Sequence, residues 1–201
     1  MVIAAGYVMK FPDNLCIPIV NHVTGRAYEL VRADDVNGDA SNVRRIASIC
    51  NESDVYEWLF RSRLAGHPYL EENAREWLQR SKAEWSSGMH FVFVVVDDEK
   101  LVAAACDIKS WEPVAEIGYW ASQQHRGVMT NAVKAVCALA GVVGYRMLFA
   151  RTKDKNVRSQ AVLERVGFGR EPCGEKGYQR FELLLNGTSC HTDGTKPARP
   201  H

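Results

Sequence analysis

Gln124-His125-Arg126-Gly127-Val128-Met129-Thr130 follows directly on an apolar run, Ala115-Glu116-Ile117-Gly118-Tyr119-Trp120-Ala121. The run has the length and composition of a strand, and after Val128 the apolar spacing is helical to about Gly144. A strand that empties through a short glycine-containing turn into a helix N-terminus leaves several backbone N–H groups without partners. With the positive end of the helix dipole, those groups form a seat for phosphate. Arg126 adds a fixed positive charge to the same turn. A glycine between a strand and a helix is also what an ordinary connection looks like, so the stretch alone establishes a strand–turn–helix unit and no more.

Outward from that unit the chain alternates. Asn42 to about Phe60 carries helical spacing through Val43, Ile46, Ala47 and Ile49, with a break near Asn51. Glu71 to Ser86 is a second helix, with Ala74, Trp77, Leu78, Ser81 and Trp85 along one side. Phe91 to Val96 is short, β-branched and aromatic, as a buried strand is; Asp97 to Lys100 turns the chain back into Leu101 to Ile108. Val114 to Ala121 is the strand that feeds the loop, and the helix Val128 to Val143 turns Ala132, Val133, Val136, Cys137 and Ala140 inward. A strand Met147 to Thr152, a helix Asn156 to Val166 and a last strand of about Tyr178 to Leu185 follow. Tyr28 to Arg32 forms the first strand, and residues 1–25, with Pro12 and Pro18, read as an irregular arm or an added edge strand. Residues 187–201 turn to Gly, Thr, Ser, Pro and Lys, which predicts a disordered tail. The order of elements predicts a single α/β sandwich over 26–186, built on one mixed sheet with helices on both faces.

Composition excludes more than it identifies. With 25 basic and 24 acidic residues the net charge is +1, so no general field draws in nucleic acid. The six cysteines show neither CxxC nor Cys/His spacing, which argues against a metal site or a disulfide framework. Asp34-Asp35-Val36-Asn37-Gly38-Asp39 resembles a calcium loop only in part, because its glycine falls early and the closing glutamate is missing. Met1 to Met9 is too short for a signal peptide and no apolar run would span a bilayer, so the chain reads as cytoplasmic, with no membrane partner. Monomer and homodimer both stay open.

Two blocks carry a family resemblance. Gln124, Gly127 and Met129 lie where the Gln-x-x-Gly-x-(Gly/Ala) pyrophosphate motif of the GNAT N-acetyltransferases has its fixed positions. Asn156-Val157-Arg158-Ser159-Gln160-Ala161-Val162-Leu163-Glu164-Arg165-Val166-Gly167-Phe168 is similar to the Asn-x-x-Ser-x-x-Val-Leu-Glu-(Lys/Arg)-x-Gly-Phe signature of the RimJ/RimL-type subgroup. The resemblance implies a mostly antiparallel sheet with a splayed central strand pair, and acetyl-CoA as co-substrate. It implies pantetheine contacts from the backbone of Trp120, Ala121 and Ser122, and pyrophosphate contacts from Gln124, His125, Arg126, Gly127, Val128, Met129 and Thr130. Gly127 is there to let the backbone approach the phosphates, with the fold indifferent to its replacement. His125 reads as a surface residue or an extra charge.

Acetyl transfer to an amine needs a neutral amine, a stabilised oxyanion and a proton or hydrogen bond for the leaving thiolate. By the same resemblance Glu116 is the candidate base, with Asp107 in reserve. The tyrosine that many relatives place in the second block is here Leu163, and Ser159 takes over as thiolate partner, with Asn156 on the same helix face. Asn156 also reads as a helix N-cap. The acceptor is a primary amine, either a protein N-terminus or a small molecule such as a polyamine, amino acid or drug; a non-catalytic acyl-CoA-binding module is the reading from another class. Trp58, His67, Tyr69, Trp77 and Trp111 are placed near the acceptor, although Trp58, Trp77 and Trp85 suit packing as well.

Overall fold

The computed structural model describes residues 9–185; the tail expected over 187–201 and the beginning of the arm lie outside them. Eight strands pair in the order β1-β2-β3-β4-β5-β6-β8-β7. At the centre, β3 (Phe91–Val96) and β4 (Val102–Ile108) form the predicted hairpin, and every residue of β3 is buried. Strand alternation divides the core. Phe91, Phe93 and Val95 join the apolar cluster around α4 (Val128–Val143), while Val92, Val94 and Val96 join the one around α1 (Ala40–Cys50) and α3 (Glu71–Ser87). Helices therefore cover both faces, as expected.

The first predicted helix stops at Cys50 because Asn51 turns its amide outward. Its side chain donates to Tyr69 O at 2.7 Å and accepts from Tyr69 N at 2.9 Å, tying the helix end to the segment before α3. A short α2 (Ser53–Val55) and a π-helical turn, Tyr56–Phe60, continue the chain. Asp39 caps α1 through the N–H groups of Ser41 and Asn42, so the acidic stretch before it is a turn into a helix.

The site-forming event is in β5 (Val114–Ala121). It pairs antiparallel with β4 from Ile117 to Ala121, but parallel with β6 (Met147–Lys153) only over Val114 to Glu116. β6 is held along its whole length by β8 (Tyr178–Leu184), and β5 by β4, so beyond Glu116 the two strands part. The other strand pairs of the described residues are antiparallel.

Two elements add detail to the sequence reading. Residues 16–20 of the arm are an edge strand, β1 (Cys16–Val20), paired with β2 (Ala27–Arg32); Pro18 is tolerated because an edge strand has an unpaired side. A three-residue strand β7 (Gly169–Glu171) follows α5 (Val157–Val166) and is too short for periodicity to reveal. The turn after β1 is seated on the phosphate loop. Asn21, buried, accepts from the N–H of Val23 and Thr24 and donates to Arg126 O at 2.8 Å, and His22 N–H donates to Gly127 O. Gly127 has φ of 98°, and a Cβ there would lie 2.7 Å from Val23 Cγ2 and against Asn21 Oδ1. The fold itself thus requires this glycine, contrary to the expectation that only a ligand does. Gly127→Ala should cost about 1–3 kcal/mol from the left-handed backbone alone, with more from displacing Val23. Urea denaturation checks this, and an unchanged midpoint would show that the turn and loop do not bear on each other.

Candidate active site

Where β5 leaves β6 a cleft of ≈ 950 Å³ opens. Ile117 to Gln123 form its floor, Ala150 to Lys153 and the start of α5 one wall, and the loop into α4 its end. Trp58 and Leu59, carried by the π-helical turn, stand beside it.

Backbone direction on the floor follows from the pairing. Glu116 O accepts from Lys109 N–H and Ser122 N–H donates to Ala103 O, so even-numbered residues of this strand turn their backbone groups to β4. The groups that face the open edge belong to Ile117, Tyr119 and Ala121. Of the three residues expected to bond a pantetheine arm, only Ala121 has its backbone there; Trp120 and Ser122 line the cleft with other atoms.

At the end of the cleft, α4 begins with no side-chain cap on Gly127, and its first N–H groups have no partner within the helix. Arg126, Gly127, Met129 and Thr130 line the cleft. Thr130 is 3% exposed and its Oγ1 has no hydrogen-bond partner among the described residues. Val128 turns its side chain into the core, and Gln124 is exposed and outside the cleft. His125 is not a surface residue. It is 4% exposed, its Nδ1 2.8 Å from Tyr28 Oη beneath the β1–β2 turn, and it does not line the cleft. Burial first, and the nearby Arg45, hold its pKa below the usual imidazole value, so it contributes no positive charge near neutral pH.

Charge comes instead from two guanidiniums. Arg126 donates to Asp54 Oδ2 at 3.2 Å, and Arg158, in the first turn of α5, pairs with the same carboxylate. Glu52 accepts from Ser122 Oγ at 2.7 Å and from Gln123 N–H. Arg158 stands in plain view in the second sequence block, but only the fold brings it opposite Arg126. An open strand edge, uncapped N–H groups, an unpartnered buried hydroxyl and two guanidiniums fit an extended ligand with phosphates at one end.

On α5, Asn156 is the N-cap, accepting from Ser159 N–H at 3.2 Å, and both residues line the cleft. Tyr119 reaches them from β5. Its hydroxyl donates to Ser159 O at 2.8 Å and lies 2.9 Å from Ser159 Oγ. The helix lacks the tyrosine of many relatives, yet a phenol arrives from the strand; in sequence its position forty residues away gave no sign of that. Burial raises the Tyr119 pKa well above the usual phenol value, so it stays protonated.

Glu116 and Ser159 are not brought together, because they belong to opposite faces of the sheet. Lys109 Nζ lies 2.7 Å from Glu116 Oε1 and an Arg151 nitrogen 3.0 Å from Oε2, with Arg151 also paired to Glu175. Both oxygens of the expected base are therefore engaged, and it must give up an ion pair to take a proton. Among the aromatics, Trp58 lines the cleft under Lys153, Trp77 packs on Trp120 at 5.7 Å, and Tyr69 and Trp85 are buried. Trp111 is exposed, and His67 is exposed outside the cleft. No described helix is long and apolar enough to cross a membrane.

Solved structures of similar shape include acetyltransferases. A RimL ribosomal L7/L12 alpha-N-protein acetyltransferase in complex with coenzyme A superposes with TM-score 0.65 at 20% identity, covering 85% of this chain and 99% of its own. A putative ribosomal-protein-serine acetyltransferase from Vibrio cholerae gives 0.64 at 20%, covering 87% and 99%. RimJ of Mycobacterium smegmatis, in complex with CoA-disulfide, gives 0.63 at 19%, covering 87% and 88%. These likenesses concern the fold. No curated protein sequence matches the chain. The family described as the acetyltransferase (GNAT) domain matches residues 37–169, which take in both central helices, the open strand and the loop beyond it. The chain belongs to the GNAT family of acetyltransferases.

Proposed function

We propose that the cleft moves an acetyl group from acetyl-CoA to the N-terminal amine of a protein or peptide, by direct attack while both substrates are bound. The observation that carries this reading is the open edge of β5 running into the uncapped N-terminus of α4. An extended pantetheine arm can pair with the backbone of Ile117, Tyr119 and Ala121 as a further strand. Its pyrophosphate then meets the N–H groups from Gly127 to Thr130, the Thr130 hydroxyl, and Arg126 and Arg158, which exchange Asp54 for phosphate oxygens. Gln124 and His125 support the loop from outside the ligand. The protein acceptor is favoured by the RimJ/RimL-like block on α5, and by the relatives of the same fold whose names specify ribosomal-protein acetylation.

Ser159 stands on the α4–α5 side of β5, and its hydroxyl is the hydrogen-bond donor for the leaving thiolate. Tyr119 holds it in place and stays protonated, so the pair does not lose its donor as pH rises through neutrality. Glu116, neutralised by Lys109 and Arg151, organises charge on the acceptor side and is not assigned the proton transfer.

A thermal melt tests the cofactor. Acetyl-CoA at a hundred times its dissociation constant should stabilise the chain by about 2.7 kcal/mol, a shift of several degrees, and NAD should give none. CoA release with a panel of N-terminal peptides, polyamines and amino acids then tests the acceptor, and release only with the small amines would overturn the peptide assignment. Arg158→Ala and Arg126→Ala should each weaken acetyl-CoA binding by about 10- to 100-fold, the worth of a charge-assisted hydrogen bond; calorimetry with acetyl-CoA measures it. Ser159→Ala should lower kcat by about 10- to 100-fold and leave acetyl-CoA affinity within about twofold. An unchanged kcat in that variant would remove Ser159 from the reaction.

A further inference from the structure

A carboxylate–imidazole–carboxylate chain lies on the face of the sheet opposite Ser159. His90, just before β3, has Nδ1 2.7 Å from Glu84 Oε2 and Nε2 2.7 Å from Asp107 Oδ2. Two ring nitrogens at that distance from two carboxylates each hold a proton between them, which describes an imidazolium. Burial works against that charge, but the hydrogen bond and charge of Asp107, with Glu84 behind, outweigh it, and the ring titrates above its ordinary value. All three side chains keep some access to solvent, at 24% for His90 and Asp107 and 31% for Glu84.

Asp107 faces Gly118 across the β4–β5 pairing, and Gly118 is part of the cleft floor. A Cβ on Gly118 would lie 2.5 Å from Asp107 Oδ1 and 3.1 Å from Lys109 Cε. The bare glycine leaves that oxygen room over the strand, beside the cleft floor. No hydrogen bond from the described residues reaches Asp107 Oδ1, whereas Glu116, one step along the same face, has both oxygens engaged.

We infer that Asp107 is the base that takes the proton of the incoming ammonium, with Glu84 and His90 positioning it. This rests on the acetyl-transfer reading above. In the step, an N–H bond of the ammonium breaks, the proton passes to Asp107 Oδ1, and the electron pair stays on nitrogen for attack on the thioester carbonyl. The groups facing the ring are Glu84 from α3 and Asp107 from β4. Next out are Arg80, 3.9 Å from Glu84 Oε1, and the Lys109–Glu116 pair beyond Asp107. An imidazolium beside Asp107 repels the incoming ammonium, so the site takes that proton best once the ring has lost its own. The rate should accordingly rise with pH through a midpoint above the ordinary imidazole value of about 6.5.

CoA release from acetyl-CoA and an N-terminal peptide, followed against pH, is the test. Asp107→Asn should lower kcat by about 100-fold or more with the acetyl-CoA melting shift intact. Glu84→Gln should move the kcat/KM midpoint to lower pH, because one of the two charges that raise the ring is gone, and His90→Gln should abolish that midpoint. A wild-type kcat in Asp107→Asn would overturn the assignment. So would a midpoint common to wild type, Glu84→Gln and His90→Gln, which is what a purely structural cluster gives. Glu84 is the most exposed of the three, so its variant carries the test even where the others fold poorly. A wild type that binds acetyl-CoA but releases no CoA with any primary amine would overturn acetyl transfer itself, and this base with it.

Discussion

The site depends on one mismatch of pairing: β5 is committed to β4 from Ile117 to Ala121, and β6 to β8 throughout, while β5 and β6 agree only over Val114 to Glu116. An unpaired strand edge inside a protein is costly, because its N–H and C=O groups lose water without gaining partners. In this chain the edge opens into a cleft, where an extended ligand can supply the missing pairs. The same parting leaves room for the start of α5, which brings Asn156, Arg158 and Ser159 to the gap. Without the splay, the loop into α4 would be an ordinary connection, as its sequence taken alone reads.

On the proposed reading of the site, strand alternation separates the two proton tasks of an acyl transfer. Tyr119 points to the α5 side, where it meets Ser159, while Glu116, Gly118 and Trp120 point to the α1–α3 side, where Lys109, Asp107 and Trp77 lie. A thiolate partner and an amine base must not neutralise each other, and in the proposed site the thickness of one strand would keep them apart. On that α1–α3 side, the two acidic groups are also differentiated. Glu116 is balanced by two cations, whereas Asp107 is backed by a ring whose charge can be removed by pH.

A phosphate seat, as proposed for the loop into α4, works only if its N–H groups stay aimed, and this loop is held from several sides. Asn21 bonds its carbonyls from the β1–β2 turn, Glu52 holds Ser122 and Gln123 from the end of α1, and Tyr28 fixes the His125 ring below. Asn21 and Tyr28 reach the loop from about a hundred residues earlier in the chain, and Glu52 from seventy. Backbone donors fixed in advance cost little ordering when a ligand arrives, which is where such a seat gains over flexible lysines.

Local patterns were readable where the physics is local. The buried hairpin, the helix from Val128, the N-cap at Asn156 and the splay implied by the two motif blocks are all present, because periodicity, capping and a family signature each act over a few residues. The misreadings have a common cause in contacts between segments distant in sequence. His125 is exposed by its spacing and buried by a turn that comes a hundred residues earlier. Gly127 looks as if it serves a ligand, yet it is also demanded by Val23. Tyr119 reads as one more aromatic of a strand until α5 folds over it. His90 sits in a turn with no motif, and only pairing of β3 with β4 sets it against Asp107. A motif specifies what a loop can bind; which side chains assist is decided by register, and register is written in the whole sheet.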